Sequence, residues 1–273
     1  MSPKIAFIIV PHPDDLEILV GHTTQYLVKQ GFQVIEILMS WGEYGIVNRF
    51  EKTGERLKGI RLRNIRIKEN THAKNYYGHF PDGTSKVRTI PMMYIDGFVP
   101  FNNKSIERLY NLFKQYKPQI IIGPDPIYAI DYHVDHLATG RNVYAAVKKY
   151  LLSTDSRPRV KYGVFQTFRP NFTGPLQSWA VLEHAFNAHR SQMTPILTHI
   201  LLGALKNIIY PWRCNHFKLR MIDQNSLIRN GFKEKNKKIF DKIMYCLLHS
   251  TANNEDLYRP LPTELGLEID PKY

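Results

Sequence analysis

Short apolar runs alternate with segments of helical periodicity over much of the chain. Residues 5–10 (IAFIIV) carry no charge and are rich in β-branched types. Such a run suits a strand buried on both faces of a parallel sheet. It stops at Pro11, which cannot donate to a central ladder. Leu16, Leu19, Val20, Thr23, Tyr26 and Leu27 then fall on one helical stripe, closed by Gly31. A second strand, 32–39 (FQVIEILM), runs into the glycine-punctuated loop Ser40-Trp41-Gly42-Glu43-Tyr44-Gly45. A basic helix is predicted over 54–76, with Arg61, Arg63, Arg66 and Glu69 along it and Gly78 closing it. Strand, helix, strand, helix with short connections predicts βαβ units and a parallel sheet.

Residues 79–103 read as loop, with Pro81-Asp82-Gly83 and Asp96-Gly97 as turn signals. A helix over 105–116 has Ser105 as its cap, Ile106, Leu109, Leu112 and Phe113 as its stripe, and Pro118 beyond its end. Residues 120–123 form the next central strand, 137–152 a helix, 160–168 a strand and 179–193 a helix. The pattern weakens beyond 195, with helices near 196–209 and 234–249 and then a proline-punctuated tail. There is no internal repeat or low-complexity segment. The expectation is a single α/β domain over 1–273, with a Rossmann-like, mostly parallel sheet flanked by helices. Its core spans about 4–193. A helical C-terminal extension, about 194–273, frames the substrate cleft or an oligomer interface.

Composition narrows this picture only a little. With 43% hydrophobic and 12% aromatic residues the chain can bury a sizeable core, which argues against disorder. The formal net charge of +13 admits nucleic acid, an anionic membrane surface, an acidic substrate or simply a basic surface. Its basic residues are spread out. Two cysteines, Cys214 and Cys246, without a CxxC, indicate no disulfide scaffold and fit a reducing interior. No signal peptide or membrane span is apparent, so a cytoplasmic location is expected, with 195–210 able to lie on a membrane as an amphipathic helix or to pack on the core.

Chemistry concentrates in two clusters. Pro11-His12-Pro13-Asp14-Asp15 follows the first strand, and Asp131-Tyr132-His133-Val134-Asp135-His136 follows a later one. Either alone reads as a turn, or as an Asp capping a helix. Two His/Asp clusters at strand ends point to a shared metal site if those strands are neighbours, at the edge where open α/β sheets bind ligands. Catalytic zinc takes three protein ligands and keeps one position for water. His12, Asp15 and His136 supply such a set. Asp14 then stands beside a ligand to accept the water's proton. His133 can donate to a developing oxyanion, with Asp135 holding its tautomer. The donor set suits zinc and also iron, cobalt or nickel.

These paired motifs resemble the zinc-dependent de-N-acetylases of the LmbE/PIG-L superfamily, which carry PHPDD-like and HPDH-like sequences. Arg66-Ile67-Lys68-Glu69 resembles that family's RxxE helix, Asp96-Gly97 its substrate-side DG, and Ala188-His189-Arg190-Ser191-Gln192 its late HxSQ segment. Gly123-Pro124-Asp125-Pro126 with Ala138-Thr139-Gly140 looks like the archaeal chitobiose-deacetylase branch. The resemblance covers about residues 4–193. It implies that His12, Asp15 and His136 bind zinc and that Asp14 is the general base. It further implies that His133 stabilises the tetrahedral intermediate or acts as acid, that Asp135 orients it, and that Arg66 and Asp96 contact the sugar. As residues alone, Arg66 is equally an ordinary helix charge and Asp96 a plain turn residue.

The sequence departs from the family at several points. Val134 replaces a proline, Leu16 stands where many members have an acid (Glu17 follows), and Leu19 and His22 occupy glycine positions, which would narrow the pocket. A tyrosine found two residues before the HPDH histidine in some members is Asp131 here, with Tyr132 adjoining His133. His22 and His72 read as structural or surface histidines. The expected reaction is removal of acetyl from an N-acetylglucosamine unit: a free disaccharide, a nucleotide sugar, a thiol-pathway glucosaminide or a lipid-linked sugar. The basic surface and the apolar basic segment around 195–220, with Lys206, Arg213, Lys218 and Arg220, allow the lipid. The alternatives are hydrolysis of another amide-linked glucosaminide conjugate, and a non-catalytic module binding an anionic surface or nucleic acid. The intact motifs oppose the last, and no specific nucleic-acid partner is expected.

Overall fold

The structure, a computed structural model, describes residues 4–45, 57–126, 133–153, 160–167, 169–192, 203, 216–225 and 227. In chain order the elements are β1 (Lys4–Val10), α1 (Asp15–Lys29), β2 (Phe32–Ser40), α2 (Gly59–Asn75), β3 (Val87–Tyr94) and α3 (Asn103–Tyr116). Then follow β4 (Ile120–Pro124), α4 (Val134–Leu152), β5 (Lys161–Phe165), β6 (Phe172–Pro175), α5 (Trp179–Asn187) and β7 (His216–Ile222). The strands form one sheet in the order β3-β2-β1-β4-β5-β7-β6. β3, β2, β1, β4 and β5 run parallel, while β7 pairs antiparallel with both β5 and β6.

The apolar run of β1 is buried on both faces, as its composition requires. Phe7 and Ile9 enter one core with Ile35, Ile37, Phe113 and Val143, under α3 and α4. Ala6, Ile8 and Val10 enter the other with Val34, Leu38, Leu16 and Val20, under α1. Strand order reverses between β1 and β4, which pair directly, Ala6 with Ile120 through Ile8 with Ile122. That is the switch point where doubly wound sheets open a crevice at the strands' carboxyl ends. α4 reaches it closely: a Cβ at Gly140 would stand 2.8 Å from the Pro124 carbonyl oxygen.

Several expectations are corrected. Residues 87–94 are not loop but the edge strand β3. Pro91 is accommodated there because an edge strand need not donate on its outer side. α3 is capped by Asn102, and Ser105 is the reciprocal partner in a capping box. α2 begins at Gly59, and α5 stops at Asn187. The extension beyond 193 is not wholly helical: β7 lies within it and completes the sheet, so the core continues past 193. The helices expected at 196–209 and 234–249 fall almost entirely outside the described residues, as does Tyr132. Among the described residues no helix is long and apolar enough to cross a membrane.

Candidate metal centre

The two motifs converge at the switch point. His12 lies just beyond the end of β1. Asp14 is the N-cap residue of α1, yet its side chain makes no capping bond. Asp15 opens α1, and its Oδ2 accepts the His12 backbone N–H at 2.9 Å. His133 and His136 come from the start of α4. Asp15 Oδ2 stands 3.3 Å from His12 Nδ1 and 3.3 Å from His136 Nε2. One ligand atom from each of the three residues lies within 4.8 Å of the others. Two donors bound to zinc at tetrahedral angles are separated by roughly 3.3 Å, so these residues fit a metal ion with little rearrangement. The three imidazoles cluster, with ring centroids 5.0 Å (His12–His133) and 5.5 Å (His12–His136 and His133–His136) apart.

Charge tells the same story. Burial pulls the His12 imidazolium down, but hydrogen bonds to Asp135, Asp15 and Asp96 outweigh it and hold His12 well above its ordinary pKa. Burial likewise pushes Asp15 up, and His136 and His12 reverse this to hold it well below the usual carboxylate range. A proton on His12 thus supplies the positive charge that the surrounding carboxylates demand, which a bound cation would supply instead.

Hydrogen bonds aim the rings. His12 Nε2 is 3.2 Å from both Asp96 Oδ1 and Asp135 Oδ2. His136 Nδ1 is 3.1 Å from Gln166 Oε1. Asp135 was expected to hold His133 through its carboxylate. In the described bonds it does so through its backbone N–H, which donates to His133 Nδ1 at 3.3 Å. Its buried carboxylate accepts from Gly97 N at 2.7 Å and Val99 N at 3.1 Å, pinning the turn that carries Asp96. His133 itself is exposed.

Arg66 and Asp96, expected at the sugar, are only 1% and 7% exposed. Arg66 donates to the Gly42 carbonyl, and its charge faces Asp14, Asp96, Glu69 and Glu43. Asp96 Oδ2 accepts from Tyr44 N at 3.0 Å. Both therefore fasten the loop of residues 42–45 against the site. The Arg220 guanidinium, proposed above for lipid contact, is instead buried in a two-pronged pair with Asp125, at 3.0 and 2.7 Å. His22 does not narrow the site: it packs edge-on against Trp179 at 4.5 Å and accepts from Gln177 N. His72 is on the surface beside Tyr76.

Sequence reasoning missed the buried supports behind the site. Glu17 binds Lys74 and His189, and Lys74 also meets Glu36. Glu69 accepts from Ser191 N at 2.8 Å and Ser191 Oγ at 2.6 Å. The RxxE and HxSQ segments are thus bolted to one another. The RxxE and HxSQ segments were singled out in the sequence but not their pairing; Glu17 and Glu36, charges inside apolar stripes, were a further local signal.

The profile of the PIG-L family, described as GlcNAc-PI de-N-acetylase, matches residues 7–147, more than half of the chain. The chain belongs to the PIG-L family. Diacetylchitobiose deacetylase of Thermococcus kodakarensis is 24% identical over 200 residues, 69% of this chain and 70% of that protein. The solved N,N'-diacetylchitobiose deacetylase of Pyrococcus horikoshii, complexed with its inhibitor MPG, superposes with a TM-score of 0.69 at 23% identity, covering 82% of this chain and 86% of that one. GalB, the 4-carboxy-2-hydroxymuconate hydratase of Pseudomonas putida, superposes with a TM-score of 0.64 at 14% identity, covering 86% of this chain and 99% of that one. A PIG-L fold therefore serves more than one reaction, and this chain's chemistry has to be argued from its side chains.

Proposed function

We propose that this PIG-L protein is a metal-dependent N-deacetylase that hydrolyses the acetyl amide of an N-acetylglucosamine-containing substrate. The observation that carries the reading is Asp15 Oδ2 held 3.3 Å from both His12 Nδ1 and His136 Nε2, with a second carboxylate, Asp14, next in the chain and not used as a helix cap. Zinc in such a set lowers the pKa of a bound water to about 7, and iron, cobalt or nickel suit the same donors.

The protein's own groups do the rest. Asp14 takes the proton of the attacking water. Because the Asp135 N–H occupies His133 Nδ1, the neutral His133 ring carries its hydrogen on Nε2. On the exposed side of the site that N–H donates to the oxyanion as the carbonyl becomes tetrahedral. Asp135 positions His133 by its backbone and His12 by its carboxylate. Arg66 and Asp96 shape the sugar subsite by holding the 42–45 loop. The family description and the chitobiose-deacetylase relatives support N-acetylglucosamine as the amide-bearing unit.

The test is primary-amine release from N-acetylglucosamine, diacetylchitobiose and N-acetylglucosaminyl-phosphatidylinositol in micelles, with zinc added, for the parent and Asp14→Asn. Release by the parent and its loss in the variant is the expected result, and the best substrate separates a free sugar from a lipid-linked one. No amine from any substrate by a metal-loaded parent would refute the reading.

A further inference from the structure

Gln166 is the first residue after β5, and its φ is +51°, in the left-handed region that side chains rarely adopt. β5 pairs with β4 up to Pro124–Phe165, and Asp125 N donates to Phe165 O at 3.1 Å, so this bend occurs at the carboxyl edge of the sheet beside the metal site. Its amide oxygen ends 3.1 Å from His136 Nδ1. A carbonyl oxygen only accepts, so His136 donates its Nδ1 hydrogen; its Nε2 faces Asp15 Oδ2, 3.3 Å away, and is the nitrogen left to a metal once no proton sits between them. With the amide reversed, the imidazole hydrogen would sit on Nε2 and bond Asp15 directly, closing the ring to a metal.

We propose that Gln166 is the positioning residue that selects the metal-binding tautomer of His136, and that the strained backbone at the end of β5 exists to aim its amide. This rests on the reading of His136 as a ligand. Strain held at a site is kept where the surroundings require it. Here a glycine would adopt φ +51° freely but would have no amide.

The experiment measures zinc affinity of metal-stripped protein by competition with a chromophoric chelator, beside the melting temperature of the metal-free form, for the parent, Gln166→Leu, Gln166→Gly and Gln166→Glu. Loss of the outer partner of a ligating histidine weakens metal binding about 10–100-fold. That loss is expected for Leu and Gly. Glu keeps an acceptor and should bind at least as tightly as the parent. The Gly variant should melt no lower than the parent, because its backbone is relaxed. Parent-like affinity in Leu and Gly, or a Glu variant as weak as Leu, would overturn the inference while leaving the metal site standing. A parent that binds no zinc would overturn both.

Discussion

Replacing Lys74 by methionine is expected to destabilise the protein by about 3–5 kcal/mol at neutral pH, because it strands buried carboxylates. Lys74 Nζ lies 3.0 Å from Glu17 Oε1 and 3.0 Å from Glu36 Oε1, and the three side chains are 5%, 0% and 0% exposed. Each pair attracts by about 5 kcal/mol at an effective dielectric of 20. Most of that is offset by the desolvation of three charges, so the net figure is the cost of uncompensated carboxylates. His189 on Glu17 and Asn70 on Glu36 remain and limit the loss.

The pH dependence is the sharper test. In the parent, burial pushes the Glu17 carboxyl up, but Lys74 and His189 outweigh it and hold Glu17 below its ordinary pKa. Its contribution is therefore present above the unfolded value of about 4.3 and lost as pH falls. Without Lys74 burial dominates, the folded pKa rises above 4.3, and stability is instead lost as pH rises. The gap between parent and variant should widen from pH 5 to pH 8, by up to about 1.4 kcal/mol per pH unit as Glu17 titrates. Urea unfolding at both pH values measures this. A loss below about 1 kcal/mol at pH 8, or the same loss at pH 5 and pH 8, would refute the reasoning.

Other consequences follow from the same geometry. Asp125→Ala leaves Arg220 buried without its two-pronged partner and should cost about 3–5 kcal/mol in urea unfolding. The double replacement Asp125→Leu with Arg220→Met should recover much of that. Gly42→Ala meets φ +66° and drives a Cβ into the Arg66 guanidinium, so about 1–3 kcal/mol of stability should go with most of the activity, read by melting and amine release. His22, pushed down to about 4 by burial, should titrate by NMR near that pH; its stabilising effect is present above the unfolded value of about 6.5 and lost as pH falls towards 4.

What the sequence shows and hides has physical causes. β1, β2 and β4 were legible because strands buried on both faces must be continuously apolar, and the adjacency of β1 and β4 made two distant motifs one site. β3 was hidden by the charge of Arg88 and by Pro91, which a sheet tolerates on an edge strand. In β7, Phe217, Leu219 and Met221 alternate with Lys218 and Arg220, a readable period of two. Its basic residues suggested a surface, since nothing local says that Arg220 meets Asp125, 95 residues earlier. α5 stops at Asn187 because residues 188–192 turn to bring His189 to Glu17 and Ser191 to Glu69, again contacts across the whole chain. His12, Asp15 and His136 stood out in the sequence by type and position, and the structure brings their donor atoms together. Gln166 was not, because only the bend after β5 aims it at His136.

The most direct test is acetate release from the best N-acetylglucosaminide as zinc is added back to metal-stripped protein. Activity should be absent without metal and rise to a plateau at one equivalent, with Asp15→Ala inactive throughout. Full activity in the stripped protein, or in Asp15→Ala, would contradict a reaction built on His12, Asp15 and His136.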